Sequence, residues 1–223
     1  MIYRIVDKLT EKEQINVLLK FLVNNLKEDL VKNPYFIVTE ADFQGYLYSK
    51  LLLKEELQPL LFDETAEKRA NFRIHLEYPR YIIKKETDKL AKGGRYDIAI
   101  LPEHDSLHRR FEKDIPDQKL VWIGFELKTR WNVGAGQIRT DLENDIPAFW
   151  LIDEKGNKKI PSKYGIMFHL NVARKKKKSD ETFQKISKEM REYRKKFPNL
   201  FCVYVESYRE NNKPEVLAYP SLD

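Results

Sequence analysis

The sequence predicts an α/β protein in which a mixed central sheet is flanked by helices. Three observations carry that expectation. Two amphipathic helical patterns open the chain, and the apolar period then falls from about 3.6 residues to about 2. Helical stretches separate the later strands, so the order reads α-α-β-β-β-α-β-α-β-β. That order favours strands joined by a helix crossover within one sheet. The composition can fill such a core, with 42% hydrophobic residues including 12 Phe, 12 Tyr and three Trp.

Each element has its own reason. Residues 10–30 read as a helix, with Thr10 and Glu13 as a capping box and Ile15, Leu18, Leu19, Leu22 and Leu26 as its apolar stripe. "NPYF", from Asn33 to Phe36, interrupts it. A second helix starts at Thr39, with Asp42 three residues on, and runs to about Leu53 with Phe43, Leu47 and Leu51 inward. "FRIHLEY", from Phe72 to Tyr78, alternates as a strand does and continues towards Ile83. Gly93 and Gly94 predict a turn, followed by an apolar strand to Leu101. A charged, exposed connection spans Pro102 to Lys119, and Leu120 to Lys128 form the next strand. Val133 to Gln137 lead into a helix ending near Pro147. Tyr164 to Val172 read as a strand and Ser179 to Phe197 as a helix. "NLFCVYVES" and "EVLAY" close the chain as strands. No stretch is a convincing linker, so the 223 residues suit a single domain.

The bulk properties exclude several classes. A single cysteine, Cys202 within "LFCVYV", rules out a disulfide framework or a cysteine-rich zinc site inside one chain, and reads as core. No apolar run approaches the roughly 18 residues of a spanning helix. The opening "MIYRIVDKLTEKEQ" turns polar at once, unlike a secretory signal. A soluble, cytoplasmic protein with no membrane partner is expected. The net charge of +6 leans weakly towards a polyanion. No GxSxG or P-loop is present, and the four histidines lack HExxH spacing; His104 and His108 fall in the charged connection.

One stretch resists a purely structural account. "WIGFELKTRW" starts as a buried strand yet carries Glu126 and Lys128. Charges within a buried strand are costly unless paired or used. Two residues apart, they share one face, while Ile123, Phe125 and Leu127 take the core face. Asp97 lies in the preceding strand, with Tyr96, Ile98 and Ile100 expected to face away from it. If the two strands are neighbours, Asp97 converges with Glu126. Paired carboxylates repel, and a hard divalent cation such as Mg²⁺ or Mn²⁺ relieves them. A lysine there can orient a water or offset phosphate charge.

Asp97 followed by Glu126-Leu127-Lys128, with Glu40 in an earlier helix, resembles the PD-(D/E)xK nuclease superfamily and its restriction-endonuclease-like fold. The resemblance covers about residues 39–172, with residues 1–38 and 173–223 as additions at either end. It implies a metal-dependent nuclease that hydrolyses phosphodiester bonds, with DNA the favoured substrate over RNA. Asp97, Glu126 and the backbone carbonyl of Leu127 would hold Mg²⁺ (or Mn²⁺), with Glu40 as a further ligand. Lys128 would act on the attacking water or the phosphate, and Gln137 would be the polar residue of the helix after the motif. Tyr96 stands where the family often has proline, a departure that members tolerate. Such enzymes often act as homodimers.

Each residue also has a plainer reading. Glu126 and Lys128 could form a solvated ion pair, Asp97 could pair with Arg95, and Glu40 could simply favour a helix N-terminus. Glu77 reads as a salt-bridge partner before a ligand. Asp141, four residues after Gln137, reads as a surface or capping acid. Lys175, Lys176, Lys177 and Lys178, inside "RKKKKSD", are either a solvated run or a phosphate-contacting loop. A catalytically silent nucleic-acid- or partner-binding subunit on the same fold is the alternative to an enzyme.

Overall fold

A computed structural model describes residues 9–53, 62–63, 71–72, 74–83, 90–101, 121–131, 134–146, 149, 158–159, 162–173, 180–208 and 214–221. Four helices of four residues or more are described: α1 (Glu11–Lys32), α2 (Glu40–Leu53), α3 (Ala135–Asp145) and α4 (Asp180–Lys196). The strands are β1 (Phe62–Asp63), β2 (Asn71–Phe72), β3 (Ile74–Ile83), β4 (Leu90–Ile100), β5 (Ile123–Trp131), β6 (Lys158–Lys159), β7 (Tyr164–Ala173), β8 (Leu200–Tyr208) and β9 (Glu215–Tyr219). β1 and β2 pair only with each other, and the others form one open sheet in the order β6-β3-β4-β5-β7-β8-β9. Six of its strands are long, and β6 is a two-residue edge piece that the apolar pattern did not reveal. β5, β7 and β8 run parallel and every other pairing is antiparallel, so the sheet is mixed as expected.

Each face of the sheet has its own core. On one face, α1 and α2 lay Leu18, Leu22, Leu26, Phe43 and Leu47 against Ile98, Phe125, Leu127 and Phe168. The opening helix thus shares the core of the sheet. On the other face, Ile138 and Leu142 of α3 and Ile186 and Met190 of α4 meet Tyr96, Met167, Cys202 and Tyr204. Both opening helices begin as the sequence predicts. Thr10 and Glu13 close a capping box. At α2, the Thr39 N–H donates to Asp42 Oδ2 at 2.8 Å and the Asp42 N–H to Thr39 Oγ1 at 3.1 Å.

The Gly93–Gly94 pair is not a turn. β4 runs straight through it, and the β3–β4 register shifts by one residue between Pro79 and Tyr81, opposite this stretch. Gly94 has φ 131°, a conformation side chains rarely adopt, and two glycines let the strand absorb the irregularity. A Gly-Gly pair inside a ladder and one at a turn look alike in sequence. Gly124 has a different reason. A Cβ there would sit 2.6 Å from the Tyr96 ring, and that ring is stacked on Phe149.

Candidate active site

Asp97 and Glu126 lie on antiparallel neighbours, β4 and β5. The paired positions run from Ile100–Ile123 to Ile98–Phe125 and stop there. The next residue on β4 is Asp97. Its Oδ2 accepts the Leu127 N–H at 2.6 Å, so a side chain takes the place of the ladder where the strands part. Glu126, beside that amide, is only 5% exposed.

The β3–β4 ladder also breaks here. Partners run from Ile74–Ile100 to Leu76–Ile98 and resume at Tyr78–Tyr96, leaving Glu77 and Asp97 face to face but outside the pairing. Glu77 has φ 50°, left-handed backbone that is uncommon for a residue with a side chain. Gln44 of α2 ties the gap, donating from Nε2 to Glu77 Oε1 at 2.9 Å and to the Asp97 carbonyl at 2.6 Å. Arg95 Nη1 lies 3.7 Å from Glu77 Oε2, so the cation beside Asp97 in sequence is placed against Glu77 instead. The break corrects one expectation: Tyr96 packs in the α3–α4 core, on the face opposite Ile98 and Ile100. Strict alternation fails because the strand is irregular at Asp97.

The charges around Asp97 act in opposite directions. Burial pushes its carboxyl pKa up, the Leu127 N–H pulls it down, Glu40 and Glu77 push it up, and Lys128 pulls it down; the net result is above the usual value. Glu40 is exposed in the first turn of α2, yet close enough for its charge to reach Asp97. The charges of two further acids, Glu40 and Glu77, thus reach Asp97 where the ladders of β3, β4 and β5 break.

Lys128 reaches away from the strand, its Nζ 3.4 Å from Asp145 Oδ2 on α3, with its side chain 16% exposed. One turn earlier on α3, Asp141 receives Arg130 through Nε at 3.3 Å and Nη2 at 2.7 Å. His169 Nε2 lies 3.4 Å from the same Asp141 carboxylate. Asp141 is therefore no surface acid: it is 5% exposed and joins β5, α3 and β7. Burial alone would raise its pKa, but His169 and Arg130 outweigh it and hold the carboxyl at about 2. The sequence did carry the signal, since Asp141 and Asp145 are four apart on α3 and Lys128 and Arg130 two apart on β5. Which helix faces which strand was missing.

Gln137 is exposed in the first turn of α3, and among the described contacts none joins its side chain to Asp97, Glu126 or Lys128. Lys175, Lys176, Lys177 and Lys178 lie outside the described residues, as do His104 and His108. Among the described residues, no three His, Cys, Asp or Glu side chains are gathered in a group that could hold a metal ion. Nor, among them, is any helix long and apolar enough to cross a membrane.

Fold and site together define an α/β protein with a mixed open sheet, with Asp97, Glu126 and Lys128 on β4 and β5, where antiparallel pairing gives way to parallel. Comparison with protein families, with characterised proteins and with solved structures finds no match to this chain.

Proposed function

We propose that this protein is a metal-dependent nuclease with a restriction-endonuclease-like core, acting on DNA in preference to RNA. The observation that carries the reading is the Asp97 carboxylate seated on the Leu127 N–H, beside buried Glu126 and one residue from Lys128. The donor set fits Mg²⁺ or Mn²⁺. A hard ion of that kind needs only one or two protein carboxylates and completes its shell with water and phosphate oxygens. Burial raises the pKa of Asp97 and repulsion from Glu40 and Glu77 adds to it, a cost that a bound cation would relieve.

In this reading Asp97 and Glu126 hold the ion, with the Leu127 carbonyl beside them and Glu40 at the rim. Bound there, the ion would acidify a water and offset charge on the leaving oxygen. Lys128 carries a positive charge to the pentavalent phosphate or to the attacking water, and Asp145 fixes where that charge sits. The break in both ladders leaves Asp97 outside the strand pairing, at the place where this reading would have a phosphate approach.

The test is cleavage of supercoiled plasmid, linear duplex, single-stranded DNA and RNA with Mg²⁺, Mn²⁺ or EDTA. Cutting should need the metal and vanish in Glu126→Ala and Lys128→Ala, with both variants folded. Full activity in both variants would end the assignment. One observation favours a silent binding subunit instead: Lys128 is already engaged by Asp145. That reading predicts metal-independent nucleic-acid or partner binding and no cutting of any substrate.

A further inference from the structure

We infer that Arg130 is a phosphate-binding residue of this site, preset by Asp141 to grip a backbone phosphate next to the one that is cut. The inference rests on the nuclease reading above and names a contact that reading does not supply. Arg130 follows Lys128 by two residues on β5, so both project from the same face of the strand. Its Nε and Nη2 are both given to Asp141. Among the described residues nothing holds Nη1, and the side chain is 35% exposed while Asp141 is 7% exposed. The buried carboxylate, itself flanked by His169, fixes the guanidinium plane through Nε and Nη2 and leaves Nη1 uncommitted.

The surroundings are acidic, so a phosphate at Nη1 needs the metal ion of the nuclease reading beside it to offset them. Arg130 lies within electrostatic reach of Glu40 on α2 and Asp145 on α3, the two acids on either side of the cluster. It therefore borders the place where a nucleic-acid strand would lie across Asp97 and Lys128. A planar guanidinium with a preset orientation suits phosphate better than a flexible ammonium does. A purely structural role, a clasp between α3 and the sheet, would use the same two hydrogen bonds but no contact to substrate.

The experiment measures binding of a short DNA duplex over a salt series, with Ca²⁺ replacing Mg²⁺ so that no strand is cut. Wild type, Arg130→Met and Arg130→Lys are compared, and thermal melts establish that each is folded. Arg130→Met should bind about tenfold more weakly and lower the log–log salt slope by about 0.9, the value of one phosphate contact. Arg130→Lys should keep the slope yet lose affinity, because the charge survives and the fork does not. A folded Arg130→Met with wild-type affinity and slope would overturn the inference. If only the lysine variant folds, unchanged affinity in that variant overturns it as well. Should wild type cut DNA when Mg²⁺ replaces Ca²⁺ while both variants bind normally in Ca²⁺, Arg130 is a clasp and the nuclease reading survives. Should wild type neither bind nor cut, both fail together.

Discussion

At Gly124 the demand is steric. The absent Cβ leaves the space that Tyr96 fills, and Tyr96 in turn is pressed on Phe149. Gly124→Ala should cost about 1–3 kcal/mol, because a buried, stacked ring has nowhere to retreat; chemical denaturation would measure it. Asp141 makes an electrostatic prediction. Its folded pKa of about 2 lies below the ordinary 3.8. A depressed carboxyl stabilises the fold above the unfolded value, and that stability is lost as pH falls through the folded one. Stability should therefore decline between about pH 4 and pH 2, by roughly 2 kcal/mol from this group. Asp141→Asn should flatten that part of the curve while lowering stability at neutral pH. Urea melts at stepped pH test both. Cys202 is buried in the α3–α4 core, and burial pushes its thiol up to about 12, so it belongs to packing and not to chemistry.

Among the elements, α1 and α2 owe their starts to reciprocal caps and their places to apolar stripes. Thr10→Ala should cost about 1 kcal/mol, read as a small fall in melting temperature. Leu22→Ala, on the buried stripe of α1, should cost about 2–5 kcal/mol. The contrast between the two separates local capping from core packing. α3 has a different task. It is a short helix with no side-chain cap at Gly134, held to the sheet by its acids and to α4 by Arg139 and Glu189. Its acids at 141 and 145 match the bases at 130 and 128, so the helix sets two cations on β5 at once. These elements were largely legible beforehand, because periodicity and capping are local properties. The Gly93–Gly94 strand and the two-residue β6 were not, since a glycine pair serves a turn or a bulge equally well and two residues have no period.

For the whole molecule, the relevant property is that β5 pairs antiparallel with β4 on one side and parallel with β7 on the other. The ladders break at Asp97, where the charges of Glu77 on β3 and Glu40 on α2 reach it. Folded protein that binds a divalent ion gains stability from it. Mn²⁺ should raise the melting temperature of the wild type, and the rise should disappear in a folded Glu126→Gln variant. An equal rise in both would remove Glu126 from the metal site.

The sequence by itself determined the α/β class, the two capped helices, the core face of β5, and the candidacy of Asp97, Glu126 and Lys128. Each of those follows from spacing along the chain or from the cost of placing charge in an apolar strand. Only the tertiary structure decided that Asp97 sits on the Leu127 amide, that Glu77 faces it from a strained backbone, and that Asp141 and Asp145 hold Arg130 and Lys128. Those contacts join residues 11 to 30 positions apart, from different elements. Local pattern records which face a residue takes, but the partner across the gap is fixed by strand order and helix docking, which no single stretch of chain encodes.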